Sequence, residues 1–214
     1  MVVRSIDMKL KRLVPSVIGS NTYLLFDNLS NAAVIDPGAP GNEILKAIKS
    51  ENANLKLILL THGHFDHMLG LERLRAEFPE AQVLIHADDA EMMSDGHKNA
   101  FFDIFKKERS FGSPDKLLIQ GDVIEFGNEK ITVIHTPGHT NGSVCYKLGR
   151  VMFTGDTVMA DTYGRCDLYS GDTHKMNFTL NRLYTMSAKE SQITIYPGHG
   201  QSATLLDAMR SIYK

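Results

Sequence analysis

The chain has 214 residues, 43% of them apolar, and a formal charge of −2 with both signs scattered. That is apolar material for one large domain, expected to span residues 1–214, and it excludes the basic stripe of a nucleic-acid binder. No run approaches the roughly 18 apolar residues of a membrane span, Met1 to Leu10 lacks the apolar stretch of a signal peptide, and Cys145 and Cys166 form no CxxC pair, so a cytoplasmic protein acting on a small molecule is expected.

In chain order, Asn21 to Asp27 and Asn31 to Ile35 read as short strands around a turn at Asn28 and Ser30. Glu43 to Ser50 places Ile44, Leu45 and Ile48 on one helical face. Leu55 to Leu60 reads as a fully buried strand, Leu69 to Phe78 as a helix and Gln82 to Ile85 as a strand. The order strand, helix, strand, helix, strand suggests a sheet covered on its outer face by helices.

The stretch from Ser94 to Pro114, with Phe101, Phe102, Phe105 and Phe111, breaks that rhythm and reads either as a peripheral helix burying its own phenylalanines or as a lid. Within it, Lys106, Lys107 and Arg109 read as a solvated helix face. Val123 to Phe126, Lys130 to His135, Ser143 to Leu148 and Val151 to Thr154 read as further strands. Asp172 is suited to cap a helix running to about Met186, Ile193 to Tyr196 reads as a strand, and Thr204 to Ile212 as a closing helix.

The segment His62-Gly63-His64-Phe65-Asp66-His67 puts three imidazoles and a carboxylate in six positions, directly after an apolar strand. In extended backbone, residues two apart face the same side, so His62 and His64 can grip one ion. A helix beginning near Phe65 would turn the chain there and swing Asp66 and His67 toward a second position. Further donors follow predicted strands: His139 in Thr136-Pro137-Gly138-His139, Asp156 in Thr154-Gly155-Asp156, and His199 in Tyr196-Pro197-Gly198-His199. Each has a glycine before it, which suits close backbone approach. His86, His97, His135 and His174 are expected in core or loop roles.

In the order of these residues, the chain resembles the metallo-β-lactamase-fold superfamily over nearly its whole length. The resemblance implies an α/β fold, a four-layer αββα sandwich with a dinuclear site along one edge. It further implies that His62, His64 and His139 hold a first ion, that Asp66, His67 and His199 hold a second, and that Asp156 bridges them. Asp36, in Ile35-Asp36-Pro37-Gly38, matches the first loop of the family and is expected to orient a ligand imidazole. Gly155-Asp156-Thr157, Gly164-Arg165-Cys166-Asp167-Leu168 and Tyr196-Pro197-Gly198-His199-Gly200 look like the glyoxalase II-like branch, closest to its short single-domain bacterial members. Arg165 is the expected holder of a substrate anion with help from Tyr169, or else pairs with Asp167 as a structural link.

Imidazole and carboxylate donors without thiolate suit Zn²⁺ first, with Fe or Mn as alternatives. An ion lowers the pKa of its water to about 7, and hydrolysis of an activated ester follows. A thioester is favoured because thiolate leaves without a strong general acid, and Asp66 and Asp156 are the expected catalytic carboxylates. The competing readings are a mononuclear iron persulfide dioxygenase, a phosphodiesterase of the same superfamily, and a metal-binding module without catalysis.

Overall fold

The structure, a computed structural model, describes residues 8–14 and 18–214; the reading of Met1 to Leu10 as lacking a signal peptide falls mostly outside them. The first sheet holds six strands in chain order: β1 (Lys9–Leu13), β2 (Thr22–Phe26), β3 (Asn31–Ile35), β4 (Asn54–Leu59), β5 (Gln82–His86) and β6 (Lys116–Leu118). From β1 to β3 the pairing is antiparallel, and from β3 to β6 it is parallel. Helices α1 (Gly41–Ser50) and α2 (Leu71–Glu77) connect the parallel strands and cover the outer face, and a short α3 (Phe101–Phe105) precedes β6. The second sheet runs β12 (Ala203–Thr204), β11 (Thr194–Pro197), β10 (Val151–Gly155), β9 (Val144–Leu148), β8 (Glu129–His135), β7 (Val123–Phe126), covered outside by α4 (Thr173–Lys189) and α5 (Leu205–Ile212).

Side-chain alternation builds three apolar layers from two sheets. Leu24, Val34, Ile58 and Val83 point outward to Ile44, Ile48, Leu71 and Leu74 of the helices. Their neighbours Tyr23, Leu25, Ile35, Leu59 and Leu84 point inward, meeting Ile131, Val133, Tyr146 and Phe153 of the second sheet. Cys145, Met152 and Ile195 form the third layer with Met176, Leu180, Leu183, Leu205 and Met209. The result is the four-layer αββα sandwich, and a strand buried on both faces explains the unbroken apolar run through Leu57-Ile58-Leu59-Leu60.

Several boundaries differ from the sequence reading. Three short edge strands, β1, β6 and β12, carry no strong strand signal of their own and exist because a neighbour supplies the ladder; β1 bears Lys9, Lys11 and Arg12, charges that discourage further edge pairing. Residues Phe65–His67 form one 3₁₀ turn, so α2 starts at Leu71 rather than Leu69. Asp172 caps α4 by accepting from the backbone N–H of His174 and Lys175, and the helix runs on to Lys189. The Phe-rich stretch is helical only over α3, bracketed by left-handed Ala100 and Lys106, so Lys107 and Arg109 lie beyond the helix. Among the described residues no helix is long and apolar enough to cross a membrane.

Candidate metal centre

Strands β3, β4 and β5 run in one direction, and β8, β10 and β11 do the same in the other sheet. Their C-terminal ends therefore feed loops to one edge of the sandwich. Asp36 follows β3, His62 follows β4, His139 follows β8, Asp156 follows β10 and His199 follows β11. All seven donors expected from the sequence meet there.

His139 Nε2 lies 3.2 Å from His62 Nε2 and 2.9 Å from His64 Nδ1. On the other side, His199 Nε2 lies 3.1 Å from Asp66 Oδ2, and His67 Nε2 lies 3.8 Å from the same oxygen. Asp156 stands between the groups, with Oδ1 3.5 Å from His67 Nε2 and Oδ2 3.7 Å from His139 Nε2 and 3.6 Å from His199 Nε2. Donors about 2.0–2.1 Å from one tetrahedral ion stand roughly 3.3 Å apart, which is the spacing found here. The cluster is able to bind metal ions.

Two further observations fit cations to this centre. Buried His67 Nε2 and Asp156 Oδ1 have no hydrogen-bond partner, a costly state that a ligated ion removes. The charges also need neutralising. Burial opposes a proton on His67, but Asp36, Asp66 and Asp156 around it raise its pKa well above the ordinary imidazole value. His64 is lowered to about 3, because burial and His139 outweigh the pull of Asp66 and Asp156. Burial likewise lowers His62, together with the surrounding imidazoles. Burial alone would raise Asp156, yet His67, His139 and His199 hold it below the usual carboxylate range.

The rings are aimed from behind. His67 Nδ1 donates to Asp36 Oδ2 at 2.9 Å, and Thr61 Oγ1 donates to the same oxygen at 2.7 Å while lying 3.1 Å from His62 Nδ1. His139 Nδ1 donates to the Arg165 carbonyl at 2.7 Å. Each contact engages Nδ1 and so turns the ring's Nε2 toward the centre. A Cβ at Gly198 would stand 2.3 Å from Asp156 Oδ1 and 2.6 Å from His67 Cε1, so only glycine passes there.

Asp36 sits at φ +49°, a left-handed conformation that asparagine also tolerates. Asp36→Asn therefore isolates the bonding change, since its amide turns an N–H₂ toward donors that the carboxylate accepts. Metal affinity, read by chelator competition, is expected to fall roughly 10- to 100-fold. Wild-type affinity in this variant removes Asp36 from the aiming of His67.

Asp89 escaped the sequence reading. Fully buried after β5, it accepts from Gly142 N at 2.7 Å through Oδ1, and from Gly63 N at 3.0 Å and Thr140 Oγ1 at 2.6 Å through Oδ2. It thus ties the His62–His64 loop to the loop after His139. Its only sequence signal is an acidic pair beyond a strand end, which Asp88 shares. Asn21 was also missed; its side-chain amide donates to the carbonyls of Pro197 and Gly200, holding the His199 loop against the first sheet. His135 stacks on His86, ring centroids 4.2 Å apart, and bonds the Asn141 carbonyl, a loop-bracing role.

A cleft of about 450 Å³ opens over the donors, bounded by Phe65, Ile104, Met159, Tyr163, Arg165 and Leu168. Arg165 lines it, but its Nε and Nη2 donate to Asp167 Oδ1 and Oδ2, both at 2.7 Å. Tyr169 does not line it. The hydroxyl of Tyr169, the residue expected to help hold substrate, donates to Glu91 Oε1 at 2.6 Å, and Tyr163 lines the cleft. A second groove of about 490 Å³ beside α4, lined by Ile134, Phe178 and Met186 among others, brings no imidazole or carboxylate cluster together.

Comparison with known proteins follows the same lines. A probable metallo-hydrolase of Streptococcus pyogenes is 30% identical over 212 residues, covering 94% of this chain and 88% of its own. The hydroxyacylglutathione hydrolase GloC of Haemophilus influenzae is 27% identical over 216 residues, covering 95% and 96%. Among solved structures, the BLEG-1 B3 metallo-beta-lactamase superposes with a TM-score of 0.83 at 27% identity, over 94% of this chain and 97% of that one. TTHA1623, solved in a di-iron-bound form, gives 0.82 at 26%, over 94% and 98%. The sequence model of one family matches residues 16–199, which include every donor described above, and the chain belongs to the metallo-beta-lactamase superfamily.

Proposed function

We propose that this metal-dependent hydrolase cleaves a small acyl thioester, S-lactoylglutathione or a relative of it, with two divalent ions, zinc first, held by His62, His64 and His139 and by Asp66, His67 and His199, and with Asp156 shared. Bound ions of this kind lower the pKa of water to about 7 and polarise the carbonyl under attack. The chain's own residues set the rest. His62, His64 and His139 present lone pairs from one side, Asp66 and His199 from the other, and Phe65 and Leu168 narrow the approach of water.

The observation that carries the thioester reading is what the cleft lacks. Among the described residues lining it, every imidazole and carboxylate belongs to the donor set, leaving only Tyr163 and Arg165 as protic side chains. No carboxyl or imidazolium is left over to protonate a departing amine, whereas thiolate departs without one. The near full-length similarity to a hydroxyacylglutathione hydrolase supports the same reading. We propose a single domain, residues 1–214, acting on a small molecule in the cytoplasm, without nucleic acid or membrane, a compartment that two free cysteines suit.

Metal analysis of the purified protein, run beside hydrolysis of S-lactoylglutathione, oxygen uptake with glutathione persulfide and cleavage of bis(p-nitrophenyl) phosphate, tests this. About two divalent ions per chain with thioester turnover is the expected result. One iron with oxygen uptake, or phosphodiester cleavage alone, overturns it. Arg165 keeps Nη1 free to meet one substrate oxygen, so Arg165→Ala is expected to raise KM about 10-fold while kcat stays within about twofold. An unchanged KM leaves the Asp167 pair as its whole role.

A further inference from the structure

We infer that, among small acyl thioesters, the site favours those with an uncharged, apolar acyl chain, held against a wall formed by Phe65, Ile104 and Ile18, a selectivity that presupposes the thioester reading above. Phe65 lies between the donors His64 and Asp66 in the chain, which places its ring at the edge of the reacting centre. That ring is fixed: Phe101 and Phe105, one helical turn apart on α3, meet it edge-on at 5.4 and 5.8 Å. Phe101 and Phe105 lie on the Phe65 side of α3, and Ile104, 61% exposed, lines the cleft. Ile18 and Tyr163 stand at the same mouth, 46% and 40% exposed. Exposed apolar side chains gathered around a concave site mark apolar ligand contact.

Charge argues the same way. Among the described residues lining the cleft, Arg165 is the one Lys or Arg, and Asp167 holds it in a two-bond pair that is neutral as a unit. A tripeptide thiol with two carboxylates and an ammonium group finds at most one partner there. An alkyl chain finds a wall, and each methylene removed from water favours binding by about fourfold.

The test uses the metal-loaded full-length chain and acyl thioesters of the neutral thiol N-acetylcysteamine, from acetyl to hexanoyl. Expected is a kcat/KM that rises about fourfold per methylene, passes that for S-lactoylglutathione, and a hexanoyl-to-acetyl ratio at least about 10-fold smaller in Ile104→Asp. As a readout apart from turnover, the hexanoyl analogue with sulfur replaced by CH₂ should show saturation transfer from the wild-type protein and lose it in Ile104→Asp. A flat or falling series, or a ratio untouched by Ile104→Asp, overturns the acyl wall and leaves the thioester reading standing. Failure to cleave any thioester overturns both.

Discussion

His62→Ala is expected to lower thioester hydrolysis by roughly 10³-fold or more, equivalent to about 4 kcal/mol of lost transition-state stabilisation. His62 Nε2 sits 3.2 Å from His139 Nε2, and its ring is packed 4.1 Å from that of His67, so it borders both donor groups. Its removal leaves His64 and His139 as two donors where three converged. The loss should appear in kcat and in bound metal, which falls toward about one ion per chain or fewer, because an incomplete donor set holds its ion weakly. KM for the substrate gives the contrast with Arg165→Ala. Full turnover with a full metal complement removes His62 from the centre.

Asp89→Ala is expected to cost about 3–5 kcal/mol of stability, the range for a buried charged group stripped from its network. Three donors lose their acceptor at once: Gly63 N, Gly142 N and Thr140 Oγ1. For a chain of this length that corresponds to a fall in Tm on the order of 10 °C. Metal affinity should fall as well, since the two loops that Asp89 ties together carry His62, His64 and His139. Asp89→Asn should recover part of both, keeping one carbonyl oxygen but facing a donor with a donor. Asp88→Ala, one position away with an exposed side chain, should stay within about 0.5 kcal/mol of wild type. Equal melting of the Asp89 and Asp88 variants would deny Asp89 its bracing role.

Residue chemistry explains which parts of the fold were legible. The central strands β2, β3, β4, β8, β9 and β10 announce themselves because each buries at least one apolar face, and the capping of α4 by Asp172 is a local contact between near neighbours. Edge strands are decided by a partner elsewhere in the chain; nothing within Lys116–Leu118 signals that Leu84, Ile85 and His86 lie alongside. Tyr169 shows the same limit at the site. It lies four residues from Arg165, which lines the cleft, yet its hydroxyl donates to Glu91, a residue 78 positions away in the chain.

By itself the sequence determined the donor set. Three imidazoles and a carboxylate in six positions, with His139, Asp156 and His199 each after a glycine at a strand end, are a local pattern of chemistry and spacing. Only the tertiary structure decided which nitrogen of each ring faces the centre, that Asp89 rather than Asp88 braces the loops, and that the cleft wall is apolar with its one guanidinium already paired. The physical reason is range: a ligand motif is written in adjacent residues, whereas ring orientation and cleft polarity depend on groups such as Asp36, Arg165 and Ile104 that meet the donors only once two sheets pack face to face.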